Sequence, residues 1–411
     1  MPKQRHWTFW LYMVSVTWVG LFLIYGWKNT QFMLDLYDQA ALTMYRGETP
    51  EGVAAMAYPP LLVATYIPLL PLTELAQRIA MLGVMAVLLV CVFSTIQTMI
   101  IGKHPFKQTA LFWVLVTLIV GRYVVSPIEN YSHDIFIATI VVLGIRYWAQ
   151  CKEGRGGALL GVAAACKATP LLFLPFLVLQ KRWKAAMLMA ITTVVAFVLP
   201  DLLFPRESGT WAGHWFSLVL SSLHLSDGTA VVHWSTWNQL NQSISGTIER
   251  LFSFPANPHA DAVDVSIATF STTTISYISY GARVLILGIL FFAFYKPSKA
   301  PLVFRRFCEG SILSCGMLLL SPMSSKAHFF LLLLPGVVMA RFYLWERRDW
   351  ILTLIFIIMF LYGTLTVKDL VGTYVGHAVL ATGSVTWCTL LAMLGTWRVM
   401  LLSQESISES S

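Results

Sequence analysis

The chain has 411 residues, 57% of them hydrophobic and only 12% charged, with a mean hydropathy of +0.69. An average soluble domain carries about 25% charged residues, so a soluble enzyme built on one core is excluded. The net charge of +8 comes from short basic clusters between apolar runs, which marks cytoplasmic loops and gives no case for nucleic acid as a partner.

In chain order, apolar runs of membrane length are predicted near 7–26, 78–101, 109–124, 134–149, 184–200, 276–295, 350–366 and 377–397. The run Trp7–Trp27 is long enough to stay as a span and lacks a small-residue cleavage site, so no cleaved signal is expected. Shorter runs at 157–168 and 170–180 meet at Lys167-Ala168-Thr169-Pro170, and runs at 308–320 and 328–344 flank Ser321-Pro322-Met323-Ser324. A helix of about 12 residues reaches only about 18 Å of a hydrocarbon core about 30 Å thick, so these segments are expected to lean on neighbours or line a wet cavity. Residues 58–71 are apolar but hold Pro59, Pro60, Pro68 and Pro71, and are expected to lie at the interface.

Charge sets the orientation. With the N-terminus inside, the inner loops hold Lys103/Lys107, Lys152/Arg155, Lys181/Arg182/Lys184, Lys296/Lys299/Arg305/Arg306 and Arg347/Arg348. A full span at 58–71 would invert every later loop. The consistent expectation is an all-α polytopic bundle of about twelve crossings in the cell membrane with both termini cytoplasmic. Residues 1–402 read as one transmembrane domain with long outer loops at about 27–77 and 204–275, followed by a polar tail at 403–411.

Several residues on the outer side are of a type that carries chemistry. Asp35 and Asp38 stand at i, i+3 just beyond the first span, so a short helix would place them on one face. A carboxylate at a cavity lip takes a proton from an incoming hydroxyl, although two solvated loop carboxylates would look the same. Lys167 interrupts the apolar stretch 161–170. An ionisable residue there is costly, and its compact charge suits a phosphate, or snorkels to headgroups. Trp237-Asn238-Gln239-Leu240-Asn241-Gln242-Ser243 groups amides beside an aromatic, which suits sugar recognition as well as a plain polar loop. His328, with Lys326 beside it, stands in an outer turn and could shuttle a proton or donate to phosphate. His133, Asp134, Arg122 and Glu129 flank another short outer turn. The six cysteines show no CxxC spacing, and no Walker loop, GxGxxG or HExxH pattern occurs, so neither a metal nor a cofactor is expected.

Several stretches together resemble glycosyltransferase family 87, whose GT-C type enzymes are related to polyprenol-phosphate-mannose-dependent mannosyltransferases and arabinofuranosyltransferases of actinobacterial envelopes. These are Gly157–Gly161 through Lys167-Ala168-Thr169-Pro170 to Lys181-Arg182-Trp183, then Tyr58-Pro59-Pro60-Leu61, Asn241-Gln242-Ser243 with Gly246 and Arg250, and Ser321-Pro322-Met323-Ser324 with His328. Their order agrees over residues 10–345. The resemblance implies a GT-C helical bundle that moves a sugar from a polyprenyl-phosphate donor to a lipid or glycan acceptor on the non-cytoplasmic face. It places the catalytic base on Asp35, with Asp38 as the alternative, and the donor phosphate at Lys167 with help from His328 or Lys326. Tyr58, Trp237, Asn241 and Gln242 are implied in substrate binding. The chain departs from the family pattern at Ser325, at Ala327 and in Asn130-Tyr131-Ser132-His133-Asp134.

Two other classes fit a polytopic chain. A transporter or flippase predicts mid-membrane charges and a repeat between halves. A polysaccharide polymerase or ligase would use outer-loop basic residues, here Arg206, Arg250, His214, His224, His233 and His259.

Overall fold

A computed structural model describes residues 16, 18–27, 32–49, 53, 56, 58–102, 105–224, 237–253, 263–295 and 298–403. His233, His259, Lys103, Lys296 and most of the C-terminal tail lie outside the described residues. Among the described residues the regular structure is entirely helical.

Helix α1 is Trp18–Trp27. The next segment forms α2 (Phe32–Arg46) and α3 (Pro60–Ala64), followed by a 3₁₀ turn at Ile67–Leu69. Proline explains these short pieces: Pro60 and Pro68 sit where a helix start loses no backbone donor. Next come α4 (Glu74–Ile96), continued by a π turn over Gln97–Ile101, and α5 (Phe106–Glu129). A left-handed Tyr131 (φ 47°) reverses the chain into α6 (Asp134–Ala149). Left-handed Cys151 and Lys181 occupy turns of the same kind, before α7 (Glu153–Cys166) and, after α8 (Phe173–Leu179), before α9 (Trp183–Leu203). The long segment that follows supplies α10 (Trp211–His224) and α11 (Ile244–Phe252). The remaining helices are α12 (Thr272–Tyr295), α13 (Leu302–Leu320), α14 (Leu333–Trp345), α15 (Trp350–Ile358), α16 (Lys368–Val371), α17 (Thr373–Ala381) and α18 (Ser384–Leu402).

Among the described residues, six helical stretches are long and apolar enough to cross a membrane: Glu74–Ile101, Lys107–Glu129, Trp183–Leu203, Thr272–Tyr295, Lys326–Trp345 and Ser384–Leu402. Two boundaries differ from the sequence expectation. The run 377–397 is not continuous, because left-handed Gly383 (φ +82°) breaks it between α17 and α18. The short run at 308–320 belongs to a helix that begins at Leu302, and its first turns carry an i, i+4 pair between Arg305 and Glu309 at 3.5 Å.

The chain divides into two compact units, one of residues 1–27, 94–127 and 236–411, the other of residues 28–93 and 128–235. In the second, α7 is packed on α6 and α9. Its glycines allow the approach: a Cβ on Gly157 would run into the Ala185 backbone, and one on Gly156 would lie 2.9 Å from the Trp148 nitrogen. The Thr193 hydroxyl donates to the Gly161 carbonyl at 3.3 Å across the same contact. At the opposite end of α7, Arg182 pairs with Glu153 at 2.8 Å. In the first unit, α13, α14 and α18 form a buried core. There Asp349 caps α15 through the Ile351 and Leu352 amides and takes both arms of the Arg398 guanidinium.

Candidate active site

The site in the second unit begins with how Lys167 leaves its helix. After Cys166 the backbone turns extended at Lys167 (φ −157°, ψ 124°), and Pro170 starts a 3₁₀ turn over Thr169–Leu172. The helix cannot continue, and the lysine is released at its end. Its ammonium meets Asp134 Oδ1 at 2.8 Å, with the two side chains only 14% and 6% exposed.

Asp134 opens α6, where the helix dipole favours a carboxylate. The Ser132 hydroxyl donates to its Oδ2 at 2.5 Å and accepts from its backbone amide at 3.3 Å. The strained Tyr131 backbone delivers this short Ser-His-Asp run to the helix start, and such non-glycine conformations cluster at functional sites. Burial draws the Lys167 ammonium down from its usual range, and Asp134 opposes that shift.

His133 adjoins the ion pair and is buried, with neither ring nitrogen hydrogen-bonded. Its ring stands edge-on to Tyr58 (4.6 Å between centroids) and to Tyr37 (5.4 Å). Burial, more than the opposing pull of Asp134, lowers its pKa to about 4, so the imidazole is neutral. Tyr37 stacks on Tyr66 at 4.5 Å. The aromatic cluster thereby joins α2 to the start of α6.

Asp35 and Asp38 both lie on α2, but their surroundings differ. Asp35 is exposed, whereas Asp38 is half-buried beside Gln77 and Tyr66, with Oδ1 inaccessible and without a hydrogen bond. Burial raises its carboxyl above the usual range, Gln77 partly offsets this, and Asp35 adds to it.

The first unit holds Trp237, Asn241, Gln242, Lys326 and His328. Asn241 and Gln242 are fully buried, and their amides are spent on backbone. Asn241 Oδ1 accepts from the Ser243 amide at 3.1 Å, while Gln242 Nε2 donates to the carbonyls of Gln239 (2.6 Å) and Leu380 (2.7 Å). Gln242 Oε1 accepts from the Val385 amide at 3.2 Å. Trp237 is half-buried and donates to the Ser253 hydroxyl at 3.1 Å. His328 is buried, and its Nδ1 accepts from the Ser325 amide at 3.2 Å, closing the turn that starts the Lys326–Leu332 3₁₀ helix; Lys326 is half-buried.

The second unit therefore holds Asp35, Asp38, Tyr58 and Lys167, sets His133 and Asp134 beside Lys167, and adds Tyr37, Tyr66 and Ser132. The sequence signal for Asp134 was the lysine itself, since a charge in an apolar setting needs a partner.

A protein-family model, described as glycosyltransferase family 87, matches residues 57–322, more than half of the chain. The chain belongs to glycosyltransferase family 87. No curated relative and no solved structure matches it. As a family 87 protein it is a membrane glycosyltransferase. The matched range contains Tyr58, His133, Asp134, Lys167, Trp237, Asn241 and Gln242, while Asp35 and Asp38 precede it and Lys326 and His328 follow it.

Proposed function

We propose that this family 87 glycosyltransferase moves a sugar, mannose or arabinofuranose, from a polyprenyl-phosphate donor to a lipid or glycan acceptor on the non-cytoplasmic face. The proposal includes twelve crossings with both termini cytoplasmic. The loop charges support that orientation.

Asp38 is the base in this reading, with Asp35 as the alternative. The observation that carries it is the inward placement of Asp38, on the same buried aromatic surface that leads to the Lys167–Asp134 pair. In one displacement, the acceptor oxygen bonds to the anomeric carbon as the carbon–oxygen bond to phosphate breaks. The hydroxyl proton goes to Asp38 and the electron pair to the departing polyprenyl phosphate. Lys167 faces the charge that develops on that phosphate. The buried amides of Asn241 and Gln242 act on backbone, so their part is to hold the long outer loop. Lys326 and His328 receive no step.

A single displacement inverts the anomeric configuration. Nuclear magnetic resonance of product made from a donor of defined configuration tests this, and retained configuration would eliminate the mechanism.

A further inference from the structure

We infer that Asp134 is a positioning residue, which keeps the Lys167 ammonium charged and aimed at the donor phosphate while Ser132 fixes the carboxylate. An ammonium has three donors. Among the described residues Asp134 is the one side chain paired with Lys167, at 2.8 Å, which leaves two N–H directions for ligand oxygens.

The ammonium is mostly buried, so without a counter-ion its charged form would be strongly disfavoured. Asp134 supplies that counter-ion from a rigid place. It is 5% exposed, stands in the first turn of α6, and has its second oxygen held by Ser132. Because the carboxylate engages one donor from one side, it orients the other two. The arrangement is a built lysine, distinct from a headgroup-seeking side chain that would reach out to water. Aim toward a phosphate rests on the function proposed above. The effect of Asp134 on the lysine's titration does not.

The test therefore has two arms, both on the full-length protein in lipid nanodiscs. The first measures labelling of the Lys167 amine by an amine-reactive reagent against pH, read by mass spectrometry of its peptide. With Asp134→Asn, labelling near pH 7.5 should rise on the order of tenfold or more, since each unit by which the pKa falls gives about tenfold more free amine in this range. Asp134→Glu should stay near wild type. Equal labelling of wild type and Asp134→Asn would overturn the inference, whatever the enzyme does.

The second arm measures sugar transfer. Asp134→Asn should lower kcat more than KM and move the alkaline limb of the pH profile down by about one unit or more. The conservative Asp134→Glu should restore part of the rate. If wild type transfers sugar and the Asp134→Asn limb does not move, the positioning role is wrong. If wild type transfers from no polyprenyl-phosphate donor while the labelling shift is present, the donor assignment falls and the control of Lys167 by Asp134 stands.

Discussion

Asp35 and Asp38 lie one turn apart on α2, yet Asp35 faces out and Asp38 turns toward Tyr66 and Gln77. Burial raises the pKa of the inward carboxyl, which makes it a stronger base for a hydroxyl proton than an ordinary carboxylate. Asp38→Asn is expected to reduce kcat by about 10²–10⁴-fold, the range of general-base catalysis. Asp35→Asn should cost a few-fold at most, by the loss of a neighbouring charge. Initial rates of both variants check this, and the reverse order would move the base to Asp35.

The close packing of α7 against α9 makes Gly157 intolerant of any side chain. A Cβ there meets the Ala185 backbone, which cannot rotate away. Gly157→Ala should therefore destabilise by about 1–3 kcal/mol, the usual cost of overpacking, and Gly157→Leu by more. Thermal unfolding in detergent reads the effect directly. Gly281, which has open space around it, is the control and should accept Ala with little change.

Arg250 is fully buried and donates to the carbonyls of Ala381 (2.9 Å), Asn238 (3.1 Å) and Asn241 (2.8 Å). Its planar fork spans three acceptors that a single ammonium cannot reach together. Arg250→Met takes the buried donor from the Ala381 and Asn241 carbonyls, at about 1–3 kcal/mol for each, while the Asn238 carbonyl keeps the Asn241 amide at 2.8 Å; Arg250→Lys should recover only part of the loss. Limited proteolysis of the 204–275 loop should accelerate in both variants. Unchanged proteolysis would mean that Arg250 does not lock this loop.

His133 gives a pH dependence with a definite sign. Its folded pKa is about 4 against an ordinary 6.5. Between these values the unfolded chain binds a proton that the native imidazole refuses, so stability falls as pH drops from about 6.5 to about 4. Above about 6.5 both forms are neutral, and this residue adds no dependence. The full effect approaches about 3 kcal/mol, and His133→Phe should flatten that part of the stability profile in chemical denaturation.

Much of this architecture is legible in the sequence because membrane length and charge placement act locally. The run at 184–200 appears within Trp183–Leu203, and Pro170 announces the break after Lys167. Gly383 hides its effect, since a left-handed residue inside an apolar run does not alter hydropathy. The partner of Lys167 stands 33 residues away, so its identity depends on how α6 packs on α7. Spacing i, i+3 brings Asp35 and Asp38 near one face but leaves them about 60° apart around the axis, enough for one to point out. Amide-rich 237–243 has the composition of a sugar site, and only packing shows that Asn241 and Gln242 serve the backbone.

Sugar transfer by the purified protein tests the central claim most directly. The protein in nanodiscs is incubated with labelled polyprenyl-phosphate mannose, polyprenyl-phosphate arabinofuranose or a nucleotide sugar, together with an extracted lipid acceptor fraction. The account predicts labelled product and free polyprenyl phosphate from at least one lipid-linked donor, with none from the nucleotide sugar and a large loss in Asp38→Asn. Transfer from the nucleotide sugar alone, or from no donor at all, would contradict it.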